Sequence, residues 1–563
     1  MDRITHNLLF EFVADQDLTH LPESEQFEHF VNNAVISTEY QESFDVEDVY
    51  VGGDGNPGID GLAIIVNGSL VTDVDEVDDL IETNKYLEVA FVFVQAKTSS
   101  KFEGADIGSF IEAVRDFFRE KPRLVRGSSL EQRARISDHI FQNTGKLRSN
   151  PTCALFYVTT GSWTGDKNLQ GRIEQGTQDL ERTDMFSRVL VTACGAKELQ
   201  KLHRQSKETL AIEIDFPNKV TLPEIPEVKQ AFIGVVSVAT LFKLIIDDAG
   251  ILRRSVFEDN IRDFQGSTEV NAAIRKTLNT SDQSKSFVVL NNGITVVCRE
   301  LQQTGNKCTL VGYQIVNGCQ TSNVLYGCRN DFDHESVLVP IKLIGTENEE
   351  IVAAIISATN SQNAVKPEEL EAMTDFQKQL ESYYKTFSGA GTLYYERRSK
   401  QWVSAPIEKT RVTTIPGQIK SLASMYLNLP HRVSGYYGTV RRRLGETIFR
   451  PDHKLIPYYT SALGLYRLDS LFRSRMLDPK LKSLRWYLLM LFRESLAGPA
   501  PQLSSNAIES YCKKLIEILM DPSKSEAAYM EVVRKVSVGG LPEFNGDSLK
   551  TQDLRDRLLS KVR

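Results

Sequence analysis

Residues 58–68 read "GIDGLAIIVNG", and residues 89–99 read "VAFVFVQAKTS". Each is a short apolar run of strand length. The first is headed by an aspartate in a Gly-rich turn, and the second ends on a glutamine and a lysine two residues apart. If the two runs pair as antiparallel neighbours, the head of one lies beside the tail of the other, which sets Asp60 next to Gln95 and Lys97. Successive side chains on a strand alternate between faces, so Gln95 and Lys97 share one face. Two ordinary strands of a sheet explain the apolar residues. The polar residues at their ends ask for a second explanation.

Working outward, helix and strand patterns alternate through about residue 215. "SEQFEHFVNNAVISTEY" carries apolar residues at 27, 30, 31, 34 and 35, a helical stripe. Strand-like runs follow at "VEDVYVG", "GLAIIVNG" and "VAFVFVQAK", with an acidic insert from Asp73 to Glu88 between the last two. "IGSFIEAVRDFFRE" returns to helical spacing, and "TCALFYVTTG" and "RVLVTACGA" are short buried strands. This alternation predicts a mixed sheet flanked by helices. "DFPNKVTLPEIPEV" (215–228), with three prolines, is the linker candidate. Beyond it the chain mixes helices and strands to about residue 400 and is largely helical afterwards. The expected domains are therefore 1–215 (α/β), 216–229 (linker), 230–400 (α+β) and 401–563 (helical).

The 563 residues exceed what one core organises, and 41% apolar with 25% charged residues is ordinary for a globular protein. No run approaches the ~20 apolar residues needed to span a bilayer. Seven cysteines contain no CxxC pair, a pattern that suits a reducing cytoplasm and excludes a zinc ribbon or a disulfide framework. No P-loop, GxGxxG or GxSxG motif occurs, which removes the common NTPase, Rossmann and hydrolase classes. The net charge of −8 repels a polyanion at long range. A nucleic-acid partner must therefore meet local basic patches such as "REKPRLVRG", "YYERRSKQW" and "TVRRRLGE".

Hydrolysis of a phosphodiester near neutral pH needs a divalent cation, oxygen ligands to hold it and a group that positions water. Asp60, a helix acid and Lys97 supply those types. Glu28 on the first stripe can reach the same sheet edge, and Glu39 at the end of that stripe is the alternative. "FEHFV", "GGDGNPGIDG" and "FVQAK" resemble the PD-(D/E)XK restriction-endonuclease-like nucleases, in particular the Mrr-like branch, in which Gln replaces the second acid. The resemblance implies that Asp60 and Glu28 hold Mg²⁺ (or Mn²⁺), with the Ala96 carbonyl as a further ligand. It implies that Lys97 orients or activates water, that Gln95 takes the usual acid's place, and that DNA is the favoured substrate.

A second constellation lies in the middle of the chain. "FVVLNNGITVVC", "YQIVNGCQTSNVL" and "ISATNSQNAVKPEEL" each place Asn, Gly, Gln and Thr where an apolar element ends. Such turns expose backbone N–H groups and amides suited to phosphate, ribose or a base. They also serve as plain corners whose amides satisfy the backbone. A shared cleft would gather Asn292, Asn317, Gln320, Thr321, Asn360 and Gln362, with Arg262 and Arg397 or Arg398 as cations for a nucleotide or a nucleic-acid strand. In order, "DNIRDFQG", "NNGIT", "QIVNGCQT" and "TNSQNAVK" resemble the AIPR family, named for abortive infection and phage resistance, over about residues 250–400.

Together the two resemblances imply a cytoplasmic antiphage effector. A Mg²⁺-dependent endonuclease would be governed by a domain that senses a nucleotide or phage-derived trigger. The competing readings are an inert nuclease fold in a nucleotide- or nucleic-acid-binding regulator, and an interaction scaffold. A double-strand cut needs two sites or two nicks, so a homodimer through the apolar helix "LRWYLLMLF" (484–492) is one expectation. A core role for that run is the other.

Overall fold

The computed structural model describes residues 1–40, 42–53, 58–207, 211–246, 253–257, 286–348, 375–397, 401–403, 405–433, 437–538 and 548–563, with isolated residues between 351 and 358 and at 435. The chain divides into two compact units, Met1–Lys207 together with Thr374–Arg563, and Glu208–Met373. The second unit is thus an insertion within the first, where the sequence reading expects three consecutive domains and a linker.

The first unit begins with helices α1 (Arg3–Asp15) and α2 (Glu23–Glu39) and continues through strands β1 (Gly61–Val66) and β2 (Ser69–Leu70). Helix α3 (Val74–Asn84), strand β3 (Val89–Lys97), helices α4 (Gly104–Phe117) and α5 (Ser128–Gln142) and strand β4 (Thr152–Thr159) follow. Helix α6 (Lys167–Glu181), strand β5 (Arg188–Cys194) and helix α7 (Ala196–Lys207) complete this part. The strands form one mixed sheet in the order β2-β1-β3-β4-β5. β1 and β3 are antiparallel from Gly61 opposite Val94 to Val66 opposite Val89. β3, β4 and β5 run parallel.

Both faces of this sheet are covered, which is why β1 is buried along its whole length and reads as a continuous apolar run. On one face Leu62, Ile64, Phe91, Phe93, Leu155 and Tyr157 pack with Val77 and Leu80 of α3, Ile107 and Phe110 of α4, and Leu130 of α5. On the other, Ala63, Ile65, Val92, Val94 and Phe156 pack with Phe12 of α1, Phe27, Phe30 and Val31 of α2, and Leu199 of α7. "VEDVYVG", expected as a strand, forms a 3₁₀ turn at Val46–Asp48 and a single bridge from Tyr50 to Gly61.

The acidic insert is helix α3, capped by the Asp73 side chain on the Asp75 N–H. Its acids meet cations from the far end of the chain. Asp75 pairs with Lys550, Glu76 with Lys420 at 3.5 Å, and Asp79 with Arg443 at 3.1 Å. Those cations belong to the helical part of the same unit, whose principal helices are Ile415–Met425, Ile456–Arg473, Arg485–Ala497, Ala507–Leu519, Pro522–Ser537 and Gln552–Val562. The run 484–492 fills the centre of that bundle, with Leu488 to Phe492 at most 1% exposed. A dimer contact through it is therefore closed, because the monomer's own helices already cover it. Among the described residues no helix is long and apolar enough to cross a membrane.

The second unit is built on a six-stranded sheet ordered β6-β10-β9-β11-β8-β7. Its strands are β6 (Ala211–Asp215), β7 (Asn218–Thr221), β8 (Gln230–Ser237), β9 (Ile294–Thr304), β10 (Lys307–Asn317) and β11 (Leu338–Gly345). Helix α8 (Val238–Ile245) and the helix Cys319–Gly327 pack against it. The segment 216–229 is not a linker. It carries β7, which pairs antiparallel with β8. β7 lies at the sheet edge with Pro217 and Pro223 outside its ends, where a missing N–H breaks no ladder bond.

Candidate active site

Asp60 immediately precedes β1. Its N–H donates to the Val94 carbonyl at 2.9 Å, and its Oδ2 accepts from the Ala96 N–H at 2.8 Å. The carboxylate thereby continues the ladder past the last paired residue and is fixed beside Gln95 and Lys97. Helix α2, on the opposite layer, is tied to the same strand by Asn32, whose Nδ2 donates to the Asp60 carbonyl at 2.9 Å. Glu28 lies one turn earlier on α2, so the tie brings its carboxylate to the strand end, where it accepts from the Tyr50 hydroxyl at 3.0 Å. Glu39, the alternative acid, is eleven residues on, ~16 Å along the helix axis, and exposed at its C-terminal end.

Glu28 feels the charge of Asp60. Burial, followed by the charge of Asp60, pushes Glu28 up to about 7, against the opposing pull of Tyr50 and Lys97. Burial pushes Asp60 up to about 6, against the Ala96 N–H and Lys97. Lys97 is half-buried and acts on both carboxylates. Gln95 is buried, and its Oε1 has no hydrogen-bond partner. Tyr157, directly across from Gln95 on β4, also keeps a buried hydroxyl without a partner. The strand end therefore gathers Asp60, Glu28, Gln95 and Lys97 from three segments.

Sequence reasoning missed Tyr50 and Asn32. Asn32 stands four residues after Glu28, a same-face spacing on a helix, and that signal was available. Tyr50 had none, because a strand reading of 46–52 gives no reason for its side chain to turn towards α2.

The amide turns of the second unit present a different picture. Gly318 has φ +99°, and a Cβ there would stand 2.6 Å from Ile294 Cγ1 and 3.2 Å from the Gly293 carbonyl. The turns at 291–293 and 317–321 are thus in contact, and only glycine permits that approach. Between them Asn291 Nδ2 donates to the buried Thr321 hydroxyl at 2.9 Å, and Asn291 Oδ1 accepts from the Gly293 N–H at 2.8 Å. Asn292 is exposed, while Asn317 and Gln320 are half-buried with partners of their own. Arg262, Asn360, Gln362 and Arg398 lie outside the described residues. Arg397 belongs to the first unit, where its Nε pairs with Glu381 at 2.6 Å.

Residues 257–527 match the family model described as AIPR protein. This supports the AIPR family for the chain, and the matched region runs past residue 400 into the helical bundle. It crosses the boundary between the two units. The AIPR region thus supplies Lys420 and Arg443, the cations on α3. No curated protein and no solved structure matches the chain.

Proposed function

We propose that this chain is a phage-defence effector whose N-terminal part hydrolyses phosphodiester bonds, in DNA ahead of RNA. The AIPR match supports the defence role. One observation carries the chemistry: two carboxylates and a lysine from separate segments converge at one strand end, where burial raises both acids and the charge of Asp60 adds to the rise of Glu28. Structural ion pairs stabilise their charges. Here the carboxylates are left in tension that a cation would relieve.

The residues present fit Mg²⁺ or Mn²⁺. Mg²⁺ is commonly held by one or two carboxylates together with substrate phosphate oxygens rather than by a protein cage. Among the described residues no group of three His, Cys, Asp or Glu side chains forms such a cage. Asp60 and Glu28 would hold the ion, which supplies Lewis-acid charge at the phosphate. Asp60 is held rigidly by the Ala96 N–H. Lys97 places a cation beside both acids, suited to orient water and to offset charge developing on the phosphorus oxygens. Gln95 adds a neutral carbonyl that leaves the site one charge short of a two-acid strand pair, which favours a single ion.

The test is to incubate the purified chain with plasmid, linear DNA and RNA, with Mg²⁺, Mn²⁺ or EDTA. Cleavage that needs the ion and is lost in Asp60→Ala is expected. No cleavage of any substrate under any of these conditions, or cleavage that persists in Asp60→Ala, overturns the reading.

The second reading, a nucleotide-binding regulator on an inert fold, rests on the contact between the glycine turns at 293 and 318. It is favoured if a nucleotide binds Asp60→Ala and the parental chain equally while neither cuts.

A further inference from the structure

We propose that Tyr50 is a positioning residue of this site, setting the Glu28 carboxylate against Asp60. The inference rests on the nuclease reading above and concerns how two acids from different layers are held at a fixed separation. Asp60 belongs to the sheet and Glu28 to a helix that packs on it, and such layers slide unless something pins them.

Tyr50 touches both. Its backbone is fastened to the Asp60 strand. Tyr50 bridges to Gly61, the Val51 N–H donates to the Asp60 carbonyl at 3.2 Å, and the Leu62 N–H donates to the Val49 carbonyl at 2.9 Å. Its hydroxyl donates to Glu28 Oε2 at 3.0 Å. The ring is itself immobilised, stacked on His29 with centroids 4.2 Å apart and planes 27° apart. His29 is 1% exposed, with Nε2 3.6 Å from Glu47. Behind the carboxylate the chain closes in, since a Cβ at Gly52 would stand 2.6 Å from Glu28 Oε2. One oxygen of Glu28 is thus taken by Tyr50, and the group can turn only with the ring that holds it. Groups that orient a ligand in this way from behind typically affect metal affinity 10- to 100-fold.

The experiment measures Mn²⁺ binding by titration calorimetry in the full chain, with thermal midpoints recorded on the same samples. Tyr50→Phe keeps the ring on His29 and removes only the hydroxyl. The expected result is a Kd weakened about 10-fold or more, with a thermal midpoint close to the parent's. In a Glu28→Gln background the same change should add nothing, because Tyr50 acts through Glu28. Equal Kd values for Tyr50→Phe and the parent overturn the proposal. So does an equal loss in both backgrounds, which would mean a general effect on the fold. A parental chain that binds no Mn²⁺, or binds it as tightly in Asp60→Asn, overturns the metal reading itself and this inference with it.

Discussion

The strand end at Asp60 and the paired turns at Asn291 and Thr321 are both clusters of polar side chains where apolar strands stop, and they resolve in opposite ways. In the second unit the Asn291 amide is answered at both ends, giving one bond to Thr321 and taking one from Gly293, although the neighbouring Ser322 hydroxyl is buried without a partner. At Asp60 the bonds that exist serve to hold like charges together, Ala96 on one carboxylate and Tyr50 on the other, and Gln95 Oε1 keeps no partner. An amide bonded at both ends explains its own presence as architecture. An unsatisfied cluster that is nevertheless rigidly held asks for a ligand to complete it.

The comparison breaks most sharply at Asp60. Asp60→Ala should take cleavage below detection, while Lys97→Ala lowers kcat by about 10²–10³-fold, read by single-turnover cleavage of a labelled duplex. If both variants cut like the parent, the unsatisfied cluster is no more functional than the bonded amide turn.

Acid follows. Mn²⁺ must displace any proton on Asp60 and Glu28, whose values stand at about 6 and about 7. Affinity should therefore fall by about tenfold per pH unit for each proton displaced as pH drops through that window. Without metal the sign reverses. Both values are raised on folding, so these groups contribute stability that is fully present below their unfolded values near pH 4 and is lost as pH rises through 6 to 7. Glu28→Gln should flatten that loss in a series of denaturant melts, and an unchanged slope would remove Glu28 from the pair.

Thr321→Val comes next. It leaves the half-buried Asn291 amide without its acceptor and should cost about 1–3 kcal/mol in the second unit's unfolding, with cleavage at the parental rate. A loss of cleavage without loss of stability would make that turn functional after all. The smallest effect belongs to Arg475→Ala. It removes the pair with Glu25 from α2, but the Arg475 side chain is 56% exposed. Such pairs contribute about 0–1 kcal/mol, and a melt shifted by more would mean that the contact organises α2.

The meeting of Asp60, Gln95 and Lys97 was legible because it needs only alternation and one antiparallel pairing, and the observed register obeys both. Glu28 was legible as a reachable helix acid, with no means of knowing that Asn32 and Tyr50 hold it there. The acidic insert looked like an interruption because its partners, Lys420, Arg443 and Lys550, lie hundreds of residues later, beyond any local pattern. Prolines read as a linker turned out to bracket an edge strand, since sequence shows the missing donor and not the empty sheet edge that tolerates it. The interleaving of the two units left no local mark either. Each half of the first unit carries a plausible apolar pattern of its own, and only the buried charges between them show that they share a core. Burial pushes Asp45 up, for example, yet Lys482, Arg473 and Arg485 together with the Glu47 N–H outweigh it and hold the carboxyl below its ordinary range.

That interleaving has a consequence in time. Glu25 waits for Arg475, 450 residues later, and Asp75 for Lys550, 475 later. At about 5–20 residues per second a ribosome needs roughly 20–90 s to cover such a distance. Through that interval the nascent α2 and α3 carry their carboxylates without the cations that will clasp them, while the second unit is being made in between. A message cut short before codon 475 yields a polypeptide with Asp60, Glu28 and Lys97 all present and the clasp on α2 missing. Segments made some 450 residues later are therefore the ones that finish α2 and α3.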